Sequence, residues 1–344
     1  MQTAEVAIAP VIKVILKTDA KALDEVVVTA MGISKEKKAL GYAVQDVKGD
    51  KLTQASSSNL SSALQGKVSG VEISPSSGMP GASSKMTIRG SRSFTGDNTP
   101  LYVVDGMPIS SSTDLDTFNS VTGSDYANRA VDIDPNDIES INMLTGPSAA
   151  ALYGSAAANG VVLITTKKGQ TEKTTITVSN STTFSKAYIM PDMQNRYGTS
   201  SGLFSWGELT NRRYNPSDFF ETGSNVINSV ALSTGNTKNQ TYLSASTTNS
   251  GGILPNNSYN RYNFTARNTT HFLNDKLTLD IGAQYIVQNN KNMVSQGQYY
   301  NPLPSLYLFP RGDNFDEIRL YERYNTNYGY MEQYWPYGDA SLSL

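Results

Sequence analysis

The sequence predicts a mixed fold, in which a small α/β domain precedes the antiparallel strands of an incomplete transmembrane β-barrel. Three observations predict it. Hydrophobic residues make up only 38% of the 344 residues, while Ser, Thr, Asn, Gly and Tyr are abundant, a mixture that favours short strands and turns. Short helix and strand signals fill residues 41–168, and a two-residue alternation of apolar and polar side chains begins after residue 169. The connections between the alternating segments are long and short in turn, as in barrels that cross membranes.

The first forty residues contain extended segments and a charged linker. Residues 11–16 (VIKVIL) are interpreted as a short strand, and residues 23–30 (LDEVVVTA) as a stiff extended run, because three consecutive valines follow two acidic residues. A basic cluster at residues 35–38 is interpreted as a solvated linker. The start of the chain lacks the basic and apolar regions of a signal peptide, so we expect either a cytoplasmic protein or an incomplete copy of an exported one.

Residues 41–168 alternate short helices with strands. One helix is expected to begin at Asn59, a suitable N-cap, and to end near Gly66. A second is expected from Pro147, which suits the first helical position, to Gly154. Strands are predicted at residues 71–74, 86–89, 101–105, 138–144 and 161–166.

The segment after residue 169 has the period of β-strands. In residues 277–287 the odd-numbered positions are apolar, and these are Leu277, Leu279, Ile281, Ala283, Tyr285 and Val287. Weaker copies of this pattern occur at residues 174–184, 226–233, 241–248 and 259–270. About 9 to 11 residues are enough for a tilted strand to cross a membrane, so five barrel strands are predicted. A soluble sandwich could alternate in the same way.

The last segment, residues 298–344, shows no periodicity but contains nine of the 20 tyrosines. A loop this long and aromatic is more often functional than idle. Pro302, Pro304 and Pro310 are expected to keep its first part extended. A girdle of aromatic residues at a membrane rim is the alternative to a binding role.

Several of these segments together resemble the SusC/RagA group of TonB-dependent transporters. Residues 23–30 resemble the TonB box of that group, and residues 86–93 (MTIRGSRS) with residues 100–109 (PLYVVDGMPI) resemble the middle of its plug domain. Residues 134–169 resemble the second half of the plug and its exit into the barrel, and residues 235–285 resemble early barrel hairpins.

The resemblance implies a division into four parts. These are a remnant of an N-terminal β-sandwich extension (1–22), the TonB box and linker (23–40), the plug domain (41–168), and the first five strands of a β-barrel with extracellular loops (169–344). The largest plugged transporters have about 22 strands, and an open sheet in lipid would leave backbone groups at its edges unpaired. We therefore expect the sequence to continue.

The resemblance also implies a function, which is active import of an oligomeric nutrient across the outer membrane. A glycan is the first expectation for the substrate and a peptide the second. The implied partners are TonB with its inner-membrane energising complex, a SusD-like surface lipoprotein that acts as a lid, and outer-membrane lipid. Nucleic acid is not expected, because a net charge of -2 provides no basic field. A soluble or surface-attached carbohydrate-binding β protein is the alternative function.

Three groups of residues are candidates for functional sites. A strand that TonB could pair with by edge addition comprises Asp24, Glu25, Val26, Val27, Val28, Thr29 and Ala30. A plug motif comprises Arg89, Gly90, Arg92, Asp105 and Gly106. The arginines could pair with acidic residues of the barrel wall that lie beyond this sequence, and the last two residues are interpreted first as a tight turn and second as a substrate contact. In the aromatic tail, the candidates for contact with the lid or the substrate are Tyr334, Trp335 and Tyr337.

Catalysis and metal binding have little support in the sequence. The chain has no cysteine and a single histidine, His271, which excludes thiolate chemistry and zinc sites with several imidazoles. No G-x-S-x-G elbow and no Walker-type loop is present. The acidic residues at 132–139 do not have the spacing of an EF-hand. We therefore expect no enzyme, no cofactor and no metal.

Overall fold

The computed structural model describes most of the chain between residues 44 and 333. The described residues are 26–28, 34–36, 44–53, 60–75, 77–94, 98–109, 133–145, 147–200, 206–211, 214–291, 301–309, 312, 314–316 and 322–333. The strand predicted at residues 11–16 lies outside them, as does all of the predicted extension at residues 1–22.

The first two strands form an antiparallel pair. Strand β1 (Val26–Val28) pairs with β2 (Ser34–Glu36), with Val27 opposite Lys35. The extended form predicted for the valine run is confirmed. Part of the segment interpreted as a solvated linker is a strand instead, because its backbone groups bond to those of the valine run.

An α/β domain follows, built on a five-stranded mixed sheet. Its elements in chain order are β3 (Val44–Lys48), α1 (Gly49–Thr53), α2 (Leu60–Leu64), β4 (Val71–Pro75), β5 (Ser84–Ile88), β6 (Leu101–Val104), β7 (Met107–Ile109), a 3-10 turn (Pro135–Asp137), β8 (Ile138–Leu144), α3 (Pro147–Tyr153) and β9 (Val161–Thr166). The strand order of the sheet is β3-β8-β9-β6-β7, and only β6 and β9 are parallel. Strands β4 and β5 form a separate hairpin.

The core of this domain lies between the sheet and the short helices. Leu60 and Leu64 of α2 are buried against Ile141 and Ile164 of the central strands. Gly66 ends α2 with φ +74, a left-handed conformation that glycine adopts without strain. Both predicted helices and all five predicted strands are confirmed, whereas β3, α1 and β7 were not predicted because they are too short to show a period.

The second large unit is a five-stranded antiparallel sheet. Its strands are β10 (Thr175–Ser185), β11 (Gly223–Gly235), β12 (Asn239–Gly251), β13 (Ser258–Phe272) and β14 (Leu277–Lys291), which pair in chain order. The five predicted strands are confirmed, and most of them extend further than predicted, because their polar ends continue the ladder of backbone hydrogen bonds. The connections are residues 186–222, 236–238, 252–257 and 273–276, which follow the predicted order of long, short, medium and short.

The two faces of this sheet differ in chemistry. The outer face exposes apolar side chains, and Ile281 and Tyr285 expose 58% and 68% of their surface. The register places Phe264 opposite Tyr285 and Val178 opposite Val230 on the same face. The inner face is polar, and it is largely buried on β12 and β13, where Ser246, Thr248, Arg261 and Asn263 are among its residues. A water-soluble sheet would bury the apolar face instead, so this inversion is typical of a membrane barrel.

The structure corrects the prediction of an extended segment after residue 298. Helix α4 (Pro302–Leu308) begins with Asn301, whose Oδ1 accepts from the N–H of Leu303 at 3.0 Å, and Pro302 takes the first helical position. Leu306 and Phe309 pack against Tyr214 of the 186–222 connection. The segment therefore does fold against another loop, and the strands β15 (Glu322–Asn325) and β16 (Tyr330–Gln333) follow it as a hairpin.

Helices in the described part of the chain are all too short or too polar to span a membrane.

Candidate functional site at the interface of the α/β domain and the sheet

An ion network joins the α/β domain to the inner face of the five-stranded sheet. Arg267 of β13 donates from Nη1 to Oδ2 of Asp105 at 2.8 Å. The same guanidinium donates from Nε and Nη2 to the two carboxylate oxygens of Asp280 on β14, at 2.9 and 2.8 Å. Lys168, which follows β9, lies 3.1 Å from Asp280. Only 10% of the Arg267 side chain is exposed, so its charge depends on these two carboxylates.

Asp105 is held on the α/β side of the network by its own domain. It lies in the turn between β6 and β7 with φ +47, and the following Gly106 has φ +90, the pair of positive angles that a tight hairpin turn requires. The backbone N–H of Thr166 donates to Oδ1 of Asp105 at 3.0 Å, and the Thr166 hydroxyl donates to Oδ2. The carboxylate therefore has a fixed orientation toward the sheet.

A second carboxylate of the α/β domain is bound by hydroxyl groups of the sheet. Tyr242 of β12 donates to Oδ1 of Asp137 at 2.9 Å, and Thr265 of β13 donates to Oδ2 at 2.8 Å. Burial raises the pKa of Asp137, and the charge of Asp134 raises it further, while the hydrogen bonds from the sheet oppose this shift. Burial is the largest of these effects, and no ion pair with a cation of the described residues offsets it.

The α/β domain also approaches the sheet closely at a glycine. Gly81, with φ +75, lies against the ring of Tyr259, which is fully buried on β13. A Cβ atom at position 81 would lie 2.4 Å from Cδ2 of that ring. A side chain at this position would have to displace the domain or the tyrosine.

The segment after β9 runs along the ends of β11 and β12. The N–H of Gln170 donates to the Ser233 hydroxyl at 2.9 Å, and that of Glu172 donates to the carbonyl of Gly235 at 2.9 Å. Gly169 leaves no room for a Cβ beside the backbone of Thr241. The two units are therefore joined covalently and docked at the same end of the sheet.

Comparison with known proteins identifies both units. The family model described as "TonB-dependent Receptor Plug Domain" matches residues 36–161. The TonB-dependent receptor SusC of Bacteroides thetaiotaomicron is 32% identical over 85% of this chain, and the TonB-dependent receptor P26 of Formosa agariphila is 30% identical over 89%. A solved RagAB peptide importer in its open-open state superposes with a TM-score of 0.63 at 22% identity, over 91% of this chain and 38% of that one.

The chain belongs to the SusC/RagA type of TonB-dependent receptors. It spans 29% of the length of SusC and 31% of the length of P26. The α/β domain is the plug, and the five antiparallel strands are barrel strands. The family is one of outer-membrane receptors and transporters, and these relatives are not enzymes.

The structure brings together some of the predicted plug residues but not others. Asp105 and Gly106 form the predicted turn, and Asp105 is the plug end of the ion network. Arg89 and Arg92 are both exposed, and neither forms an ion pair with a described carboxylate. Arg89 has φ +60 and donates its N–H to the carbonyl of Gly70, and Arg92 donates from Nη1 to the carbonyl of Ala158 at 3.4 Å. Gly90 follows in a left-handed conformation with φ +79.

The described contacts between plug and barrel join the plug acids Asp105 and Asp137 to Arg267, Tyr242 and Thr265 of the barrel. The acidic partners expected for Arg89 and Arg92 lie on barrel strands beyond this sequence, so that pairing stays a prediction. These barrel residues were not predicted. A partial signal existed, because Arg267 lies on the polar side of a predicted strand.

Two groups of predicted residues lie mostly or wholly outside the described part of the chain. Of the predicted TonB-binding strand, Val26, Val27 and Val28 are described and form β1, while Asp24, Glu25, Thr29 and Ala30 are not. Tyr334, Trp335 and Tyr337 are not described either, and their role stays a prediction.

Among the described residues, no group of three or more His, Asp or Glu side chains could hold a metal ion. His271 lies at the end of β13 with its Nδ1 3.0 Å from the Thr278 hydroxyl.

Proposed function

We propose that this chain provides the coupling segment, the plug and the first barrel wall of a TonB-driven importer in the outer membrane. The observation that carries the proposal is the pair of opposite faces on one sheet. Apolar side chains such as Ile281 and Tyr285 face outward, and polar ones such as Arg267 hold the plug on the inside. We propose residues 23–40 as the coupling segment, 41–168 as the plug, and 169 onward as barrel.

The valine run is the proposed contact for TonB. In the described residues β1 pairs only with β2, so strand addition at its other edge would give a three-stranded sheet. Each backbone hydrogen bond contributes about 0.5 to 1.5 kcal/mol net, so a few of them support a transient contact. A transient contact suits a partner that pulls and then releases.

Polar contacts at the interface suit a plug that must move. The Arg267 network and the Asp137 contact fix the position of the plug, but water can replace each of their hydrogen bonds once the interface opens. A continuous apolar interface of similar size would lack such replacement partners. The plug is therefore well positioned at rest and separable under force.

The proposed substrate is an oligosaccharide, with a peptide as the second possibility. The resemblance to the SusC/RagA group favours the first, and the RagAB peptide importer is the structural neighbour that supports the second. We propose a SusD-like surface lipoprotein as the lid, in contact with the tail residues Tyr334, Trp335 and Tyr337. The proposed location is the outer membrane.

Deletion of residues 24–30 from the complete receptor tests the proposal. The deletion should abolish uptake of a labelled oligosaccharide and leave binding at the cell surface unchanged, because it removes the coupling strand and no part of the barrel. Replacement of residues 24–30 by a flexible Gly/Ser segment of equal length is the second variant. It preserves the spacing but removes the coupling strand, so it should also abolish uptake. Import by either variant would refute the coupling role.

A further inference from the structure

Each of the five barrel strands carries an outward asparagine near the same end of the sheet. On β10 to β14 in turn, these residues are Asn180, Asn228, Asn249, Asn260 and Asn289. The register places Asn180 opposite Asn228, and Asn260 opposite both Asn249 and Asn289. We propose that this asparagine belt binds the sugar headgroup of a glycolipid in the outer leaflet of the membrane, an inference that rests on the proposed location.

The belt borders the apolar part of the outer face. Side chains alternate between the two faces of a strand, so Asn180 lies on the same face as Val178, and Asn289 on the same face as Tyr285. The valine pairs with Val230 of β11, which is 48% exposed, and Tyr285 is 68% exposed. The outward positions of each strand are therefore apolar below the belt and become polar at it.

The position of the loops shows which end of the sheet carries the belt. The belt lies toward the connections 186–222 and 252–257, whereas the short turns 236–238 and 273–276 are at the other end. Membrane barrels have short periplasmic turns and longer extracellular loops, so the belt is on the extracellular side. Tyr262, which is 45% exposed, donates from its hydroxyl to Oδ1 of Asn249 at 3.4 Å. Tyrosine is enriched at membrane–water interfaces, which places the belt at the level of the lipid headgroups.

The belt has hydrogen-bonding groups that the protein does not use. Among the described residues, the side chains of Asn260 and Asn289 have no hydrogen-bond partner. At the periplasmic end of the same face the polar groups satisfy one another, since Asn268 donates to Oδ1 of Asn239 at 3.0 Å and to the Thr241 hydroxyl at 2.9 Å. An unpaired carboxamide is unfavourable in hydrocarbon, so the belt requires polar partners from the headgroup region.

The chemistry of the belt fits a sugar better than a simple anionic headgroup. A carboxamide both donates and accepts, as the hydroxyl and amide groups of sugars do. Lys291, two positions beyond Asn289, is the only charged residue at the outward positions of these five strands, and it could bind one phosphate. The belt crosses four inter-strand spacings, or about 19 Å, which suits a headgroup of several sugar rings. The occupant favoured is therefore a phosphorylated glycolipid.

Loss of the carboxamides tests the inference. Asn249→Leu, Asn260→Leu and Asn289→Leu are combined in the complete receptor, because leucine suits a lipid-facing position. The probe is lipopolysaccharide without O-antigen chains, added to the purified and delipidated receptor in detergent, and the readout is the rise in its thermal unfolding midpoint. The leucine variant should need at least ten times more of this lipid than the unmodified receptor for half-maximal stabilisation. The matched variant with glutamine at the three positions keeps the carboxamides and should respond like the unmodified receptor.

The other possible occupants predict different results. Phosphatidylglycerol has a phosphate and no sugar, so it should stabilise the receptor much less, and equal stabilisation would overturn the sugar headgroup. An equal response of the leucine variant to lipopolysaccharide would leave only interfacial water at the belt and overturn the inference. A smaller particle mass of that variant in light scattering would assign the belt to a second copy of the protein, which would also overturn it.

Failure of the belt and failure of the proposed location are distinguishable. Recovery of the unmodified receptor outside the outer membrane would contradict the location. Recovery in the outer membrane without any stabilisation by lipopolysaccharide would overturn the belt alone.

Discussion

Arg267 on barrel strand β13 donates a hydrogen bond of 2.8 Å to Asp105 in the plug, and these residues are 162 positions apart in the chain. The same guanidinium binds Asp280 on β14 through its remaining nitrogens. One side chain therefore couples the position of the plug to the pairing of two barrel strands. Removal of the guanidinium would leave two partly buried carboxylates facing each other.

Arg267→Gln should loosen the plug without unfolding the barrel. Loss of a hydrogen-bonded charge partner costs about 1 to 3 kcal/mol, so amides of β6 and β9 should exchange hydrogen roughly ten to a hundred times faster. Arg196→Gln is the control, because Arg196 is exposed in the 186–222 connection. Addition of Asp105→Asn should cost less in the Arg267→Gln background than alone. Full additivity, or exchange like that of the control, would refute the coupling.

Asp137 should make plug docking dependent on pH. Its pKa is raised by burial, so the docked state binds a proton more tightly than the released state does. Docking should therefore weaken as the pH rises from the ordinary carboxyl pKa through the raised value, and regain strength on acidification. The measurement is plug hydrogen exchange, corrected for the intrinsic effect of pH.

Asp137→Asn should flatten this pH dependence, because it removes the titrating group and keeps an acceptor for Tyr242. Asp192→Asn in the exposed 186–222 connection should leave the dependence unchanged. Docking that strengthens as the pH rises over the same range would contradict the assignment.

Local patterns predicted the elements of this fold well. The outer face of β14 follows from the alternation in residues 277–287, and α2 and α3 begin at Leu60 and Pro147, where the sequence signals predicted helix starts. Each of these signals lies within a few residues of the structure that it specifies. The prediction that the segment after residue 298 is extended was wrong, although a local signal for α4 was present. Asn301 followed by Pro302 is an N-cap and first-turn signal, and we interpreted Pro302 only as a helix breaker.

The site could be predicted only in part, because its contacts join distant segments. The short turn at 273–276 fixes the register of β13 and β14, so the placement of Arg267 and Asp280 on one face could be derived from the sequence. Nothing local to Asp105 specifies that it faces Arg267, since this depends on how the plug docks. The arginines that we chose instead, Arg89 and Arg92, are conspicuous in sequence but exposed in the structure.

Gly81→Ala should destabilise the docked plug more than a glycine substitution elsewhere. The left-handed conformation costs an alanine about 1 to 2 kcal/mol, and the contact with Tyr259 adds an overpacking cost of about 1 to 3 kcal/mol. Gly66→Ala is the matched control, because Gly66 has nearly the same φ of +74 and nothing within 4 Å of the added Cβ. Equal shifts of the plug exchange rates in the two variants would show that the approach to Tyr259 is not tight.

Simultaneous replacement of Tyr334, Trp335 and Tyr337 by alanine should weaken association of the lid protein by more than about 1 kcal/mol, the scale of aromatic interface anchors. The measurement is co-purification from solubilised outer membranes at graded salt and detergent. The matched variant with phenylalanine at all three positions keeps the rings and should retain the lid. Normal lid binding with impaired substrate binding would assign these residues to the substrate site.

The most direct test of the membrane-barrel account is the side from which lipid reaches strand β14. A fluorophore can be attached to single cysteines at two sets of positions in the complete receptor, which is then reconstituted with brominated lipid. The first set is Leu279, Ile281 and Tyr285, and the second is the intervening positions Thr278, Gln284 and Ile286. We predict quenching by lipid at the first three positions and little at the other three, since the register places these sets on opposite faces. Quenching without alternation, or quenching at the second set only, would contradict the account.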